Sequence, residues 1–577
     1  MEISTMSGEA ALVCTLRVPS SKRGVEVIRS WCRYHSAVGF SYAFLFFDDP
    51  LPQPEGAGDM GAPEDYSSIR SNSVPASPSS WPPPLPPLGP GMLDHVPAAV
   101  AMEEEFGAQA AAEPSAGEAG GPRLRTVVVA GRNPQLRIWQ RRHCPSWAEY
   151  ESFLADEVQA RQTMNAETAL AMAAHRGMDW LVHIDSDELF YTGPAVATIS
   201  QLRNGGEREE GAGCERPRHS SALPTVDSQQ DKLPLVTDHF ADLDREGVFQ
   251  MTYLNHEGVP ERPDIEDYFA EVTLFRQHHF AVPLRGPGTG TGDMTRDAMR
   301  FWEQRTHHGQ YLLVYDNGKS ATRVLPEVRA KSVHSWILPP PLEEQHQRRF
   351  GRQRPGPADA AGRTAGYGSM KAGGDNVARA VIRRRTALAD PRGLDVGALR
   401  RCEVPCILHF VTCGLRWFMD KYEILGRFQD SWFGGALPIA PSFHLDARDV
   451  VLTSTPAAVP TVSGACGGAV EAFFSAQVLF DTEGDGEAGA EARAELERQV
   501  RSKVCRRITT IAAILGGKGD WKGVEGASGQ ALDASDAPPN GGGALHERKV
   551  GTRRVARTPP GAFEKAWLLS SIAQEYL

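Results

Sequence analysis

Residues 179–191, DWLVHIDSDELFY, decide how this chain is read. Trp180 to Ile184 is a short apolar run that reads as a buried strand. Asp185, Asp187 and Glu188 then place three carboxylates within four residues. Such a cluster repels itself, and it becomes favourable when a cation neutralises it. Asp185 and Asp187 are two apart, so an extended backbone turns both to one side, where they can share one metal or one metal-bound diphosphate. A solvated acidic turn is the plain alternative.

Working outward, the preceding chain alternates strands and helices. ALVCTLRV (11–18) reads as a strand; Ile28, Trp31, Cys32 and His35 then recur on one helical face, with Gly39 as the cap. YAFLFFDDP follows as a buried strand ending in Asp48 and Asp49, and LRTVVVA (124–130) is a third. Ser146 and Glu149 form an S-x-x-E capping box ahead of a helical region reaching Ala174, which Gly177 stops. This order predicts an α/β fold, a mostly parallel sheet flanked by helices. Ligands of such sheets sit at the carboxyl ends of the strands, where Asp48, Asp49, Asp185, Asp187 and Glu188 all fall.

Pro- and Gly-rich tracts break the pattern. Residues 51–121 read as a disordered Pro/Ala-rich insertion and 344–394 as a basic disordered one, with similar tracts near 203–233, 281–298 and 517–560. About 350 to 390 residues remain to pack. They divide into a first half, 8–50 with 122–202, a second half, 234–343 with 395–480, and a helical, low-complexity region over 481–577.

Composition excludes several classes. Against 61 Lys plus Arg stand 72 Asp plus Glu, a net charge of −11, which disfavours a nucleic-acid-binding face. No apolar run of about 18 residues encodes a transmembrane helix. The N-terminal MEISTMSGEAALVCTLRV starts acidic, unlike a signal peptide. Nine scattered cysteines suggest reduced thiols and a cytoplasmic setting rather than a disulfide framework.

WCRYHSAVGFSYAFLFFDDP (31–50) and RQTMNAETALAMAAHRGMDWLVHIDSDELF (161–190) together resemble the nucleotide-sugar-binding half of a glycosyltransferase with the GT-A (Rossmann-like) fold. The likeness is closest to the family 2-like and family 92 groups. It extends through NGKSATRV (317–324), VHSW (333–336) and LHFVTCGLRWFMDKYEILGRF (408–428). One departure is Arg17-Val-Pro, where those families have Lys-Asn-Glu after the first strand.

The resemblance implies transfer of a sugar from a nucleoside-diphosphate sugar donor to a hydroxyl of a glycan or other acceptor, with inversion and with Mn²⁺ or Mg²⁺ as cofactor. Asp185 and Asp187 would hold the metal, with His409, a histidine near the end of the catalytic domain, as supplementary ligand; His334 is the next candidate. Asp48 or Asp49 would bind the base or ribose. Read from the residues alone, Lys319 and Arg323 lie four apart near strand ends and could neutralise a leaving diphosphate, with solvated charges as the plain alternative. An inverting transferase needs a carboxylate near the acceptor hydroxyl as general base. The segment 255–269 offers five, with Glu257 and Asp264 as the candidates and Glu261, Glu266 and Asp267 beside them. Family resemblance also admits the secretory pathway or Golgi.

Three other readings stay open. Cys402, Cys406, His409 and Cys413 have the spacing of a zinc site, although Ile407, Leu408 and Phe410 between them read as a buried strand. A nucleotidyltransferase also uses paired aspartates, with a basic Gly-rich loop that VPSSKRG (18–24) only partly matches. The third is an inactive, transferase-like binding or scaffold protein.

Overall fold

Unbroken burial sets the first sheet. Strands β1 (Ala10–Leu16) and β2 (Tyr42–Phe47) are buried at every position, a pattern that requires cover on both faces. Ala10, Leu12, Cys14 and Leu16 pack with Val27, Ile28 and Trp31 of the helix Lys22–Ala37. Ala11 and Val13 face the other way, onto Ala166, Leu170 and Ala173 of the helix Val158–His175. Gly39, with φ +97°, ends the first helix turn as the sequence suggests.

The computed structural model describes residues 8–17, 22–49, 81–86, 96–106, 124–193, 235–245, 247–279, 281–282, 291–306, 308–314, 317–326, 328–339, 405–439, 442–454, 467–484 and 486–516. Along them run β3 (Arg125–Ala130), β4 (Trp180–His183), β5 (Glu188–Tyr191), β6 (Gln250–Tyr253), β7 (Asn255–Gly258), β8 (Leu274–Arg276), β9 (Lys319–Arg323), β10 (Arg329–Ser332), β11 (Ser335–Ile337), β12 (Cys406–His409), β13 (Ser431–Trp432), β14 (Leu437–Pro438) and β15 (Cys505–Arg507).

The first sheet has the order β3-β2-β1-β4-β9-β6. Its first four strands are parallel, and β9 runs antiparallel between β4 and β6. A second, mixed sheet has the order β15-β8-β7-β12-β5. The chain therefore passes from one sheet to the other at Asp185–Asp187, between β4 and β5. Both sheets contribute to one core, where Val182 and Ile184 meet Leu189, Phe190, Ile407 and Leu408.

Among the described residues β5 is an edge strand that pairs with β12 on one side only. Side chains of the first helix close its other side. Trp31 Nε1 donates to the carbonyl of Glu188 at 2.9 Å, Tyr34 Oη donates to that of Phe190 at 3.2 Å, and Phe190 N donates to His35 Nε2 at 3.2 Å. His35 Nδ1 bonds the Trp31 carbonyl at 2.9 Å, so it carries the ring proton. Burial pushes the His35 pKa down to about 3, which keeps Nε2 an acceptor.

Several expectations need correction. The tract near 281–298 runs into the helix Thr291–Arg305, which buries Ala298 and Trp302. Within 51–121, the helix Pro97–Phe106 packs Ala98, Ala99, Ala101 and Met102 into the core, because small apolar side chains fit closely against the first helix and β3. The remainder of that insertion, apart from 81–86 and Val96, lies outside the described residues, as does 344–394. Ser146 makes no side-chain cap; its Oγ donates instead to Glu167 at 2.6 Å, and only Trp147–Tyr150 is helical before the long helix begins at Val158. The C-terminal region adds a strand, β15, to the second sheet beside the helix Gly486–Arg501. Cys402, one of the four residues of the zinc reading, lies outside the described residues; Cys406 packs with Ile407 and Leu408 in the apolar core, and among the described residues no three His, Cys, Asp or Glu side chains form a group able to hold an ion.

Candidate functional site

The turn between β4 and β5 is closed on itself. Asp185 N donates to Glu188 Oε2 at 2.7 Å, and Glu188 N donates to the Asp185 carbonyl at 3.1 Å. Phe410 N, just past β12, donates to the Asp187 carbonyl at 2.8 Å. Both sheets therefore hold the turn, and the carboxylates of Asp185 and Asp187 stay 23% and 19% exposed while Glu188 is fully buried.

Each exposed carboxylate meets a lysine. Lys319 Nζ donates to Asp185 Oδ2 at 2.7 Å and lies 3.7 Å from Glu188. Gln162 Nε2 adds a bond to Asp185 Oδ1 at 3.0 Å. Lys421 Nζ donates to Asp187 Oδ2 at 2.8 Å, and His409 Nε2 stands 3.7 Å from the same oxygen. Burial alone would raise the pKa of Asp187, but Lys421 and His409 outweigh it and hold the carboxyl well below its usual range. Lys319 likewise keeps Asp185 ionised against burial. For Glu188 burial wins, and its pKa rises.

A tight backbone approach places Lys319. Gly318 has φ +67°, and a Cβ there would come 1.9 Å from the Tyr253 carbonyl, so no other residue fits without moving the β6–β9 pairing. His334 Nδ1 bonds the Gly318 carbonyl at 2.7 Å, and burial lowers its pKa to about 3. His334 thus acts behind Lys319 as a support.

The other expected residues separate by geometry. Arg323 closes the far end of β9, opposite Trp180, and its Nε bonds Asp244 at 3.1 Å. Four strand residues span roughly 13 Å, so it does not join Lys319 at the turn. Asp48 is clasped by Arg161 through bonds of 2.8 to 3.0 Å and anchors the long helix from inside. Asp49, next along, is half-buried. Glu257 is fully buried, with Arg276 and the amides of Leu313 (2.9 Å) and Val314 (2.8 Å) on its oxygens. It is a structural anchor, correcting the expectation of a general base there. Asp264 is exposed, in a loop docked on the helix Leu415–Leu425 through Leu415 N to the Pro263 carbonyl at 2.9 Å.

Asp185, Asp187 and His409 have the oxygen-rich chemistry that Mn²⁺ or Mg²⁺ takes. Their placement does not match it. Among the described residues no three His, Cys, Asp or Glu side chains form a group able to hold an ion, and lysine ammoniums occupy the cation positions on both aspartates. As arranged, these residues do not fit a resident divalent ion.

Lys421 and Gln162 were not anticipated from sequence. Lys421 sits among the apolar positions Phe418, Tyr422 and Leu425, where a lysine reads as a solvated edge residue.

The fold and turn define an α/β protein with a charge-balanced acidic site at the carboxyl end of a mostly parallel sheet. Two proteins of Arabidopsis thaliana named glycosyltransferase-like are similar to it. One is 27% identical over 220 residues, covering 37% of this chain and 36% of that protein. The other is 26% identical over 216 residues, covering 37% and 32%. The chain thus spans about a third of the length of the curated relatives it matches. No family model and no solved structure matches. Among the described residues no helix is long and apolar enough to cross a membrane.

Proposed function

We propose that this chain is a glycosyltransferase of GT-A type that moves a sugar from a nucleoside-diphosphate sugar to an acceptor hydroxyl. The observation that carries this is the Asp185–Asp187 turn, held between the two sheets at the carboxyl ends of β1 and β4 with a lysine on each carboxylate. The likeness to two glycosyltransferase-like proteins supports the same reading.

In the transfer, the acceptor oxygen bonds to the anomeric carbon as the carbon–oxygen bond to the diphosphate breaks. The diphosphate leaves with the electron pair. Asp264, exposed on the loop beside the helix that carries Lys421, takes the hydroxyl proton, and attack from the opposite face inverts the centre. Asp49 contacts the base or ribose. Positive charge fixed near the departing oxygens stabilises them as they become anionic. Mn²⁺ or Mg²⁺ carries no step in this reading, since lysines hold the positions expected for it.

A screen of donor hydrolysis and transfer across nucleotide sugars tests the proposal. Turnover that disappears in Asp187→Asn is expected; a chain that hydrolyses and binds none of the donors would sink it.

A further inference from the structure

The two lysines of the acidic turn are not equivalent. Lys319 has no exposed side-chain surface and is sealed between Asp185 and Glu188. Lys421 keeps 27% of its side chain exposed. An ammonium has three N–H donors. Two of those on Lys421 reach Asp187 at 2.8 Å and the Val411 carbonyl at 3.4 Å, which leaves the third for a ligand.

Placement adds a second constraint. Each aspartate of the turn already faces an ammonium, Lys319 on Asp185 at 2.7 Å and Lys421 on Asp187 at 2.8 Å. His409 lies 3.7 Å from Asp187. His444, bonded to Tyr422 Oη at 2.8 Å, has its pKa lowered by burial to about 3, so it adds no charge at neutral pH. Arg17, at the exit of β1, donates to the Ile424 carbonyl at 3.3 Å, one turn along from Lys421. Two cations thus line one rim at the carboxyl ends of β1 and β4, the place where ligands of such sheets bind.

We propose that Lys421, steadied by Asp187, is the group that binds the diphosphate of the donor, and that it does so without a divalent metal. The proposal rests on the glycosyl-transfer reading and specifies its donor site. Asp187 orients the ammonium rather than a metal, and the third N–H donates to a phosphate oxygen of a nucleoside diphosphate. As the sugar leaves, that bond shortens against growing negative charge.

The test is calorimetric titration of the full chain with uridine and guanosine diphosphates, once in EDTA and once with Mn²⁺. One of the two nucleotides should bind in EDTA about as tightly as with Mn²⁺. Lys421→Met should weaken that binding by about tenfold or more, the loss expected for one charge-assisted bond, and Lys421→Arg should restore most of it. Lys421→Gln replaces the methionine variant if the latter loses its cooperative thermal transition. Binding that requires Mn²⁺ and ignores Lys421→Met would overturn this proposal while leaving glycosyl transfer intact. Absence of binding for both nucleotides in both buffers, with no donor turnover in the screen, would overturn both.

Discussion

Asp48, Glu257 and Asp187 are carboxylates at or near strand ends, and only their surroundings tell them apart. Asp187 stays partly exposed beside a partly exposed lysine, whereas Glu257 is spent on Arg276 and two amides inside the protein. Glu257→Ala should therefore act on stability, since it strands a guanidinium that is 2% exposed; a loss of about 3 to 5 kcal/mol is expected. Urea unfolding measures it, and a variant that unfolds like the parent but loses turnover would restore Glu257 as a catalytic base. Glu167 gives a pH prediction. Burial raises its pKa from 4.5 to about 7, although Ser146 and the amide of Ala330 donate to it. The folded state thus holds a proton that the unfolded chain releases above pH 4.5, so this group's contribution is full below that pH and is lost as pH rises toward 7. The span is worth about 3 kcal/mol. Glu167→Gln should flatten the fall in stability across that window, and denaturation midpoints at several pH values check it. At this scale the sequence was legible where charge was crowded, at Asp185 and Asp187. It was opaque where one long side chain crossed between elements, since nothing near Lys421 records that its helix lies over the turn.

The first helix shows what periodicity leaves out. Spacing of Ile28, Trp31, Cys32 and His35 identifies a buried face, and that face is where expected. Its polar atoms do something no period encodes: Trp31, Tyr34 and His35 satisfy the backbone of the edge strand β5 and so fix the register of the acidic turn. Trp31→Phe keeps most of the apolar bulk and removes the donor to the Glu188 carbonyl. It should cost about 1 to 3 kcal/mol, the penalty of a buried acceptor left without its partner, and should speed amide exchange along β5 more than along β1. Equal protection of both strands would mean that the helix merely covers β5. The Ser146 box misled for a related reason, because a buried Glu167 competes for the same hydroxyl and wins.

At the scale of the whole chain, the parallel half was legible because long buried strands alternate with helices. The second sheet was harder to read: its strands are three or four residues long, and they come from segments as distant as Glu188–Tyr191 and Cys505–Arg507. The stretch 51–121 tests how far composition can be trusted. Residues 51–80 hold few large apolar side chains, but the helix Pro97–Phe106 belongs to the core. Met102 is fully buried, its sulfur 3.5 Å from that of Cys32, and its carbonyl accepts from Thr126 at 3.2 Å. Glu105 pairs with Arg29 at 2.9 Å and Arg33 at 3.0 Å, and Trp139 donates to the Pro84 carbonyl at 2.8 Å. Replacing 51–80 by a short Gly/Ser linker should leave the melting temperature near that of the parent, because loop-closure entropy changes slowly with length. Replacing all of 51–121 should lower it by many degrees, since it uncovers Cys32 and the side of the first helix that carries Arg29 and Arg33. Met102→Ala isolates the packing share of that effect, at about 2 to 5 kcal/mol for a buried methionine. If the longer deletion melts with the parent while Met102→Ala is also neutral, the helix is an ornament on a self-sufficient core; if both fall, the core depends on a segment that its composition alone would discard.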